Sequence, residues 1–479
     1  MDYDFAVIGG GSAGYAAART AASQGLKTVV VEGGAEVGGL CILRGCMPSK
    51  TLIESANRML TLRRAEEFGL RADAIEVHPA EIIARKRRLI GEFADYRREQ
   101  LEKGAFDFIR GRARFRDPHT IEISWPGEAP RELRARSFLI STGSIVRIPS
   151  IPGIENSGAL TSDDALELES LPPTLVVLGA GPVALEMAHY FAALGVEVTI
   201  IQRGPQLLTG LDADVAGALE DALRKRGITI FTGTRILSIE CASGKTRVTF
   251  EHAGTHRTVE CAQLLNALGR QPAIGNLGLD AAGVDHPKGT IRTNAHQQTS
   301  QAHIFAAGDC CGPHEIVHIA IQQGEIAARN AACVLAGEPE EKLETTDYRL
   351  KLFVVFTEPE VAMVGITEAE ARAQGIDARS ASYPFNDHGK SLVMGETEGF
   401  VKLIADSATG EVLGGAVVGP HAADLIHEVV VAMHFHATAA QFASIPHYHP
   451  TLSEIWTYPA EDLASLGACL KTPKGCVEN

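Results

Sequence analysis

Two regimes of apolar spacing divide the chain. Up to about residue 340, short unbroken apolar runs alternate with glycine-bearing turns and with longer stretches of helical spacing. Residues 5–8 (Phe-Ala-Val-Ile) predict a buried strand, the turn after them opens a helix ending near Gly25, and residues 28–31 predict a second strand finishing at Glu32. Residues 174–202 repeat this unit, with a strand at 175–178, a helix through Gly195 and a strand at 197–201. Between the two, residues 51–110 are polar and helical in spacing, and the charged runs at 85–88 and 97–103 predict a solvated helix face. Segments 113–116 and 120–124 predict short strands, 137–143 a buried strand ending in a small-residue turn, and 304–309 another that ends in an acid before an Ala-rich helix at 318–335. From about Thr345 the spacing changes to alternation. Segments 353–356, 361–364, 399–405 and 411–418 predict an antiparallel sheet, with helices at 368–373 and 423–433 packed on it.

The turns of the two similar units carry the first chemistry. Gly9-x-Gly11-x-x-Gly14 lies between a strand and a helix, and Glu32 closes the second strand. In that setting the first two glycines give a tight turn whose backbone N–H groups approach a pyrophosphate. The third lets helix and strand pack closely, and the acid holds a ribose hydroxyl. The second unit has Gly179-x-Gly181-x-x-Ala184, with Gln202-Arg203 in the acid's place; 32 − 14 and 202 − 184 both equal 18. The chain is therefore expected to bind two dinucleotides. The missing acid and the nearby Arg203 favour a 2′-phosphate, hence NADPH; the alternative is that Arg203 is an ordinary surface residue after the strand.

Composition narrows the class. A chain of 479 residues exceeds one core, so about three domains are expected. Gly is 48 of 479, above the usual ~7%, as many phosphate-binding turns require. The formal net charge of −15 argues against nucleic acid or an anionic membrane as partner. No apolar run approaches the ~18 residues of a membrane span, and Met1-Asp2-Tyr3-Asp4 runs straight into a strand without an export signal. A cytoplasmic protein is expected. Its nine cysteines are scattered, apart from Cys41 and Cys46, the adjacent Cys310-Cys311, and Cys469 and Cys476 in the tail.

The stretch 38–50, GGLCILRGCMPSK, holds Cys41 and Cys46 with four residues between them, and Pro48 where a helix begins. A helix N-terminus favours thiolate over thiol, which points to a pair cycling between dithiol and disulfide. A structural disulfide, a metal site or two buried thiols would fit the spacing equally. Near the C-terminus, Glu454 stands five residues after His449 and can orient it as an acid–base group for a thiol.

Together these motifs resemble the flavin-dependent pyridine nucleotide-disulfide oxidoreductases, the family of glutathione reductase, dihydrolipoamide dehydrogenase and mercuric reductase. The resemblance covers nearly the whole chain. It also takes in Ser141-Thr142-Gly143, Glu186 after the second glycine turn, Ala267-Leu268-Gly269-Arg270, the 306–309 segment and His449-Pro450-Thr451-Leu452-Ser453-Glu454. It implies an α/β fold of two Rossmann-like dinucleotide-binding domains plus a C-terminal α+β dimerisation domain. The FAD domain would comprise 1–150 and 286–343, the NAD(P) domain 151–285, and the interface domain with its tail 344–479. FAD would lie on Gly9, Gly11, Ser12, Gly14, Glu32, Gly39, Thr142, Gly143, Gly308 and Asp309, and NAD(P)H on Gly179, Gly181, Gln202, Arg203, Gly269 and Arg270. Cys46 would face the flavin, Cys41 would meet the substrate, and Lys50 would sit by the flavin and pair with Glu186. His449 would serve the Cys pair of the other subunit of a homodimer. No resident metal is expected.

The implied activity is electron transfer between nicotinamide, FAD, the Cys41–Cys46 pair and a small dithiol or disulfide. The HPTLSE wording resembles the dihydrolipoamide dehydrogenase branch, and Pro182 stands where glutathione reductase has a gating Tyr. Ser12 and Arg19 fall where glutathione reductase binds glutathione, so a glutathione-type reductase is one alternative. A mercuric reductase-like enzyme, or a flavin NAD(P)H oxidase or transhydrogenase, is another; mercuric reductases generally lack the His-Pro pair, and transhydrogenases lose one cysteine. The tail thiols Cys469 and Cys476 are either a relay or without a role.

Overall fold

The computed structural model describes residues 1–242 and 244–469, with side chains to Ser465. The chain forms two compact units. One comprises Met1–Thr51, Ala80–Arg147 and Gly269–Asp347; the other comprises Leu52–Pro79, Ile148–Leu268 and the chain from Tyr348 onward as far as it is described.

In the first unit, Asp107–Arg110, Thr28–Glu32, Tyr3–Ile8, Arg131–Ile140 and Ile304–Ala306 lie side by side as a parallel sheet. The first half of the long strand Arg131–Ile140 pairs antiparallel with Thr120–Ser124, which pairs with Arg112–Asp117. Phe5, Val7, Val30, Leu139 and Phe305 are fully buried on the face covered by the helices Ser12–Ser23 and Val317–Ala336. Side chains of this size contribute roughly 1.5–3 kcal/mol each when fully buried. The strands read as continuous apolar runs because a parallel sheet is covered on both faces.

The second unit repeats the plan. Its parallel sheet runs Thr229–Phe231, Glu197–Ile201, Thr174–Leu178, Gln263–Asn266, with the helix Pro182–Ala193 after the third of these. The likeness of the two repeats extends to single bonds: Gly9 N–H donates to Val31 O and Gly179 N–H to Ile201 O, each at 2.9 Å. A three-stranded antiparallel sheet (Arg235–Ala242, Lys245–His252, Thr255–Cys261) belongs to the same unit.

The C-terminal part of that unit is a five-stranded antiparallel sheet in the order Leu352–Val355, Glu360–Gly365, Val412–Gly419, Phe400–Asp406, Ala378–Pro384. The helix Ala422–His434 packs on it through Leu425, Ile426, Val429 and Met433, and Trp456 is buried in the same core. The fifth strand has no counterpart in the sequence-based reading. Its residues ARSASYP offer too short an apolar alternation, at Ala381 and Tyr383, and it lies at a sheet edge, where such a strand needs only one paired neighbour.

The expected solvated helix is Pro79–Glu102. Its exposed face carries the pairs Arg88–Glu92 and Arg98–Asp95. Two members of the charged runs depart from that reading: Lys86 is buried and Arg97 stacks on Tyr15. Among the described residues no helix is long and apolar enough to cross a membrane.

Candidate active site

The first glycine turn is shaped by close approach. A Cβ on Gly14 would stand 1.9 Å from Gly9 O and 2.7 Å from Ser141 Oγ, so only glycine lets this helix start against the strand. Gly14→Ala is expected to cost about 3 kcal/mol or more, read as a lower Tm and a purified protein depleted of cofactor. An unchanged Tm with full cofactor content would contradict this account of the turn. The helix Ser12–Ser23 has Gly11 at its N-cap and no side-chain cap. Its first N–H groups and its dipole are thus available to a phosphate.

Around that turn the polar groups are arranged for a ribose and a diphosphate. Glu32 accepts from Gly10 N–H at 2.7 Å through Oε2 and from Gly34 N–H at 2.6 Å through Oε1. Both oxygens keep a further lone pair for a sugar hydroxyl. Thr142 Oγ1 is buried with no partner among the described atoms, an orphan that a bound molecule would satisfy. Asp309 accepts from Ser144 Oγ at 2.7 Å, and Ser144 Oγ accepts from Arg270 Nε at 2.8 Å. Gln323, fully buried, fixes the turn before Asp309 by accepting from Gly308 N–H at 2.7 Å and donating to Gly312 O at 2.8 Å. These residues fit a flavin adenine dinucleotide. Ser144 and Gln323 escaped the sequence-based reading because nothing local marks them.

The thiol pair lies on the same unit. Cys41 is in the short helix Gly39–Leu43, and Cys46 is the first residue of the helix Cys46–Arg63. Both are half-buried and stand in the dithiol form. Gly39, at φ +75°, brings this segment against the glycine turn: a Cβ there would stand 2.6 Å from Gly11 Cα. The Cys41 thiol is pushed far above its ordinary range, first by its hydrogen bond to Cys46 and then by burial, with Lys50 pulling the other way. Of the two sulfurs, Cys41 therefore holds its proton, while Cys46 has the helix N-terminus behind it. Lys50, one turn further on, is half-buried.

Beside the pair is a cationic cluster. The Arg97 guanidinium lies 4.2 Å from the Tyr15 ring centroid and that of Arg19 lies 5.7 Å from it. Among the described residues, Arg97 Nε is buried without a hydrogen-bond partner. Burial lowers the Arg97 pKa, with Tyr15 and Cys41 acting in the opposite direction.

Most of the remaining expected residues lie on the second unit. Gly181 is the uncapped N-cap of the helix Pro182–Ala193, and no atom lies within 4 Å of a Cβ built on it, so a pyrophosphate fits there too. Gln202 turns its amide onto Gln206 O at 3.3 Å, and Arg203 is exposed. Gly269, whose carbonyl accepts from Arg147 N–H at 3.1 Å, belongs with Arg270 to the first unit. Glu186 is buried and accepts from Phe356 N–H at 3.1 Å. His449 is 78% exposed, and its Nδ1 lies 3.0 Å from Glu454 Oε2, a carboxylate only 14% exposed. Cys476 lies outside the described residues; Cys469 closes the last helix, its side chain outside them too. Among the described residues no cluster of three or more His, Cys, Asp or Glu could hold a metal ion.

Comparison with known proteins gives the family. Residues 3–324 match the pyridine nucleotide-disulphide oxidoreductase family, and residues 353–460 match its dimerisation domain. The dihydrolipoyl dehydrogenase of Bacillus subtilis is 35% identical over 465 residues, 95% of this chain and 96% of that protein. A Staphylococcus aureus mercuric reductase is 34% identical over 440 residues, 91% of this chain and 78% of that protein. Among solved structures, LpdA from Mycobacterium tuberculosis has a TM-score of 0.86 at 30% identity, covering 96% of this chain and 99% of its own. The HOCl-induced flavoprotein disulfide reductase RclA of Escherichia coli has a TM-score of 0.83 at 27% identity, covering 96% of this chain and 99% of its own. The matched dimerisation domain supports a homodimer, and the chain belongs to the pyridine nucleotide-disulphide oxidoreductases, enzymes that use FAD and NAD(P)H.

Proposed function

We propose that this cytoplasmic enzyme exchanges electrons between a nicotinamide nucleotide and a small dithiol or disulfide of the lipoamide type, through Cys41 and Cys46. The observation that carries the reading is the thiol pair at a helix N-terminus, in a chain that also holds an exposed imidazole on a shielded carboxylate. The lipoamide choice is supported by the similarity to the Bacillus subtilis dihydrolipoyl dehydrogenase.

When bound, FAD supplies two-electron exchange between nicotinamide and the thiol pair. Residues of the chain carry the sulfur chemistry. In the reducing direction, Cys41 gives its proton to His449 Nε2 of the other subunit, and its sulfur attacks one sulfur of the substrate disulfide. The substrate S–S bond breaks, and the departing thiolate takes the proton from His449. Cys46 sulfur then attacks Cys41 in the mixed disulfide, closing the Cys41–Cys46 bond and releasing the second substrate sulfur as a thiolate, which takes its proton from solvent. The pair is oxidised by two electrons and the substrate reduced by two; dithiol oxidation runs the same steps in reverse. Glu454 holds His449 in the tautomer whose Nε2 lone pair is open. Lys50 and Glu186 are assigned to the catalytic set by resemblance, and Gln202 with Arg203 favours NADPH over NADH.

The test is NADH and NADPH oxidation by the purified, FAD-loaded dimer with oxidised lipoamide against a no-acceptor control. Acceptor-dependent turnover supports the reading and ranks the two nucleotides; reduction by nucleotide with no lipoamide turnover rejects lipoamide as substrate.

One observation favours a second reading. Arg19 and Arg97 on Tyr15, beside Cys41, would suit a disulfide carrying carboxylates, such as oxidised glutathione. If so, Arg97→Leu raises the KM for oxidised glutathione about tenfold, the scale of one charge-assisted hydrogen bond, while the KM for neutral lipoamide stays within about twofold. Equal effects on both acceptors would sink the anionic-disulfide reading.

A further inference from the structure

The shielded carboxylate of Glu454 faces a second histidine. Glu454 Oε2 holds His449 at 3.0 Å, and Oε1 lies 3.4 Å from Nε2 of His388, a residue with no exposure at all. His388 Nδ1 is 2.9 Å from the hydroxyl of Ser391, which is also fully buried. Among the described residues His388 Nε2 has no hydrogen bond of ideal geometry, and the group that faces it at ion-pair distance is the Glu454 carboxylate.

Donor and acceptor arithmetic fixes the protons. An ionised carboxylate only accepts, so each nitrogen facing it carries hydrogen: Nε2 on His388 and Nδ1 on His449. His388 Nδ1 then bears the lone pair and Ser391 Oγ–H donates to it. The order runs from the Ser391 donor to His388, whose Nε2–H faces the Glu454 carboxylate at 3.4 Å, with His449 donating to the same carboxylate from the other side. Of the two imidazoles only His449 keeps an open lone pair, on Nε2, the atom that must accept the thiol proton.

We infer that His388, locked in one tautomer by Ser391, is a positioning residue that anchors the inner oxygen of Glu454 and so sets the orientation and proton affinity of His449. The inference rests on the reading of His449 as the acid–base group. Burial lowers the His388 pKa, and Glu454 raises it by a smaller amount, so His388 stays neutral as it holds the carboxylate. A neutral donor orients Glu454 without cancelling the charge that stabilises a protonated His449; a cation there would cancel it. Of the ionisable groups adjacent in the chain, His447 pairs with Glu428 at 3.3 Å, and Asp387 accepts from Tyr383, itself stacked on Tyr458, at 3.0 Å.

The test uses the FAD-loaded dimer and the pH profile of disulfide turnover, with nucleotide-to-flavin reduction followed separately. His388→Leu removes the N–H from Glu454, which leaves the carboxylate a stronger partner for the His449 proton. The acidic limb of the profile moves to higher pH, and kcat at neutral pH falls about tenfold, the scale of an outer-shell hydrogen-bond partner. His388→Gln keeps a donor and restores the wild-type profile. Ser391→Ala frees the tautomer, shifts the limb in the same direction by less, and serves if His388→Leu fails to fold. His449→Ala in parallel separates the two layers. If it loses turnover while the profiles of the His388 and Ser391 variants match wild type, the inference is overturned and the reading of His449 stands. If it keeps full turnover, both fall.

Discussion

Cys41→Ser abolishes turnover of a disulfide acceptor, by a factor on the order of 10³ or more, while NAD(P)H still reduces the bound flavin. A serine oxygen cannot form the sulfur–sulfur bond through which electrons leave the pair, and a lone Cys46 cannot store two of them. The nucleotide-binding turn does not depend on the Cys41 sulfur, since the close approach there is made by the backbone of Gly39 and Gly11. Steady-state NAD(P)H oxidation with lipoamide, beside stopped-flow flavin reduction, separates the two effects. Turnover at the wild-type rate would remove the pair from the route and leave the flavin to pass electrons directly.

His449→Ala is expected to lower disulfide turnover at neutral pH by about 10²- to 10³-fold, the usual range for a positioned acid–base group. The reason lies in Cys41. Its hydrogen bond to Cys46 and its burial keep the thiol protonated well above neutral pH, so attack needs a base to take that proton. The sign follows: a raised thiol pKa makes the unassisted rate climb as pH rises. The variant should therefore recover progressively in alkaline buffer, whereas wild type levels off at lower pH. A variant profile parallel to wild type, merely scaled down, would show that His449 does something other than move this proton.

What could be read in the chain is what local chemistry writes there. The glycine turns, the acid closing the strand at Glu32 and the helix opening near Cys46 depend on neighbours within a few residues, and these elements stand within two residues of where the spacing put them. The apolar runs gave the parallel strands for the same reason. The edge strand Ala378–Pro384 was illegible because it turns only Ala381 and Tyr383 onto the core, too short an alternation to mark a strand. Arg97 was hidden in a charged run; its contact with Tyr15 joins residues 82 positions apart in sequence. Ser144, Gln323 and His388 are common polar residues whose roles come from partners brought by the fold. Residues of that kind carry no signal until their neighbours are known.

The most direct measurement of the central claim is an anaerobic reductive titration of the FAD-loaded dimer, wild type beside Cys41→Ser. If the Cys41–Cys46 pair is a redox centre in series with the flavin, oxidised wild type takes up about four electrons per subunit, two for FAD and two for the pair, and the variant about two. Uptake of about two electrons by both proteins would mean that the pair is idle, contradicting the account at its base.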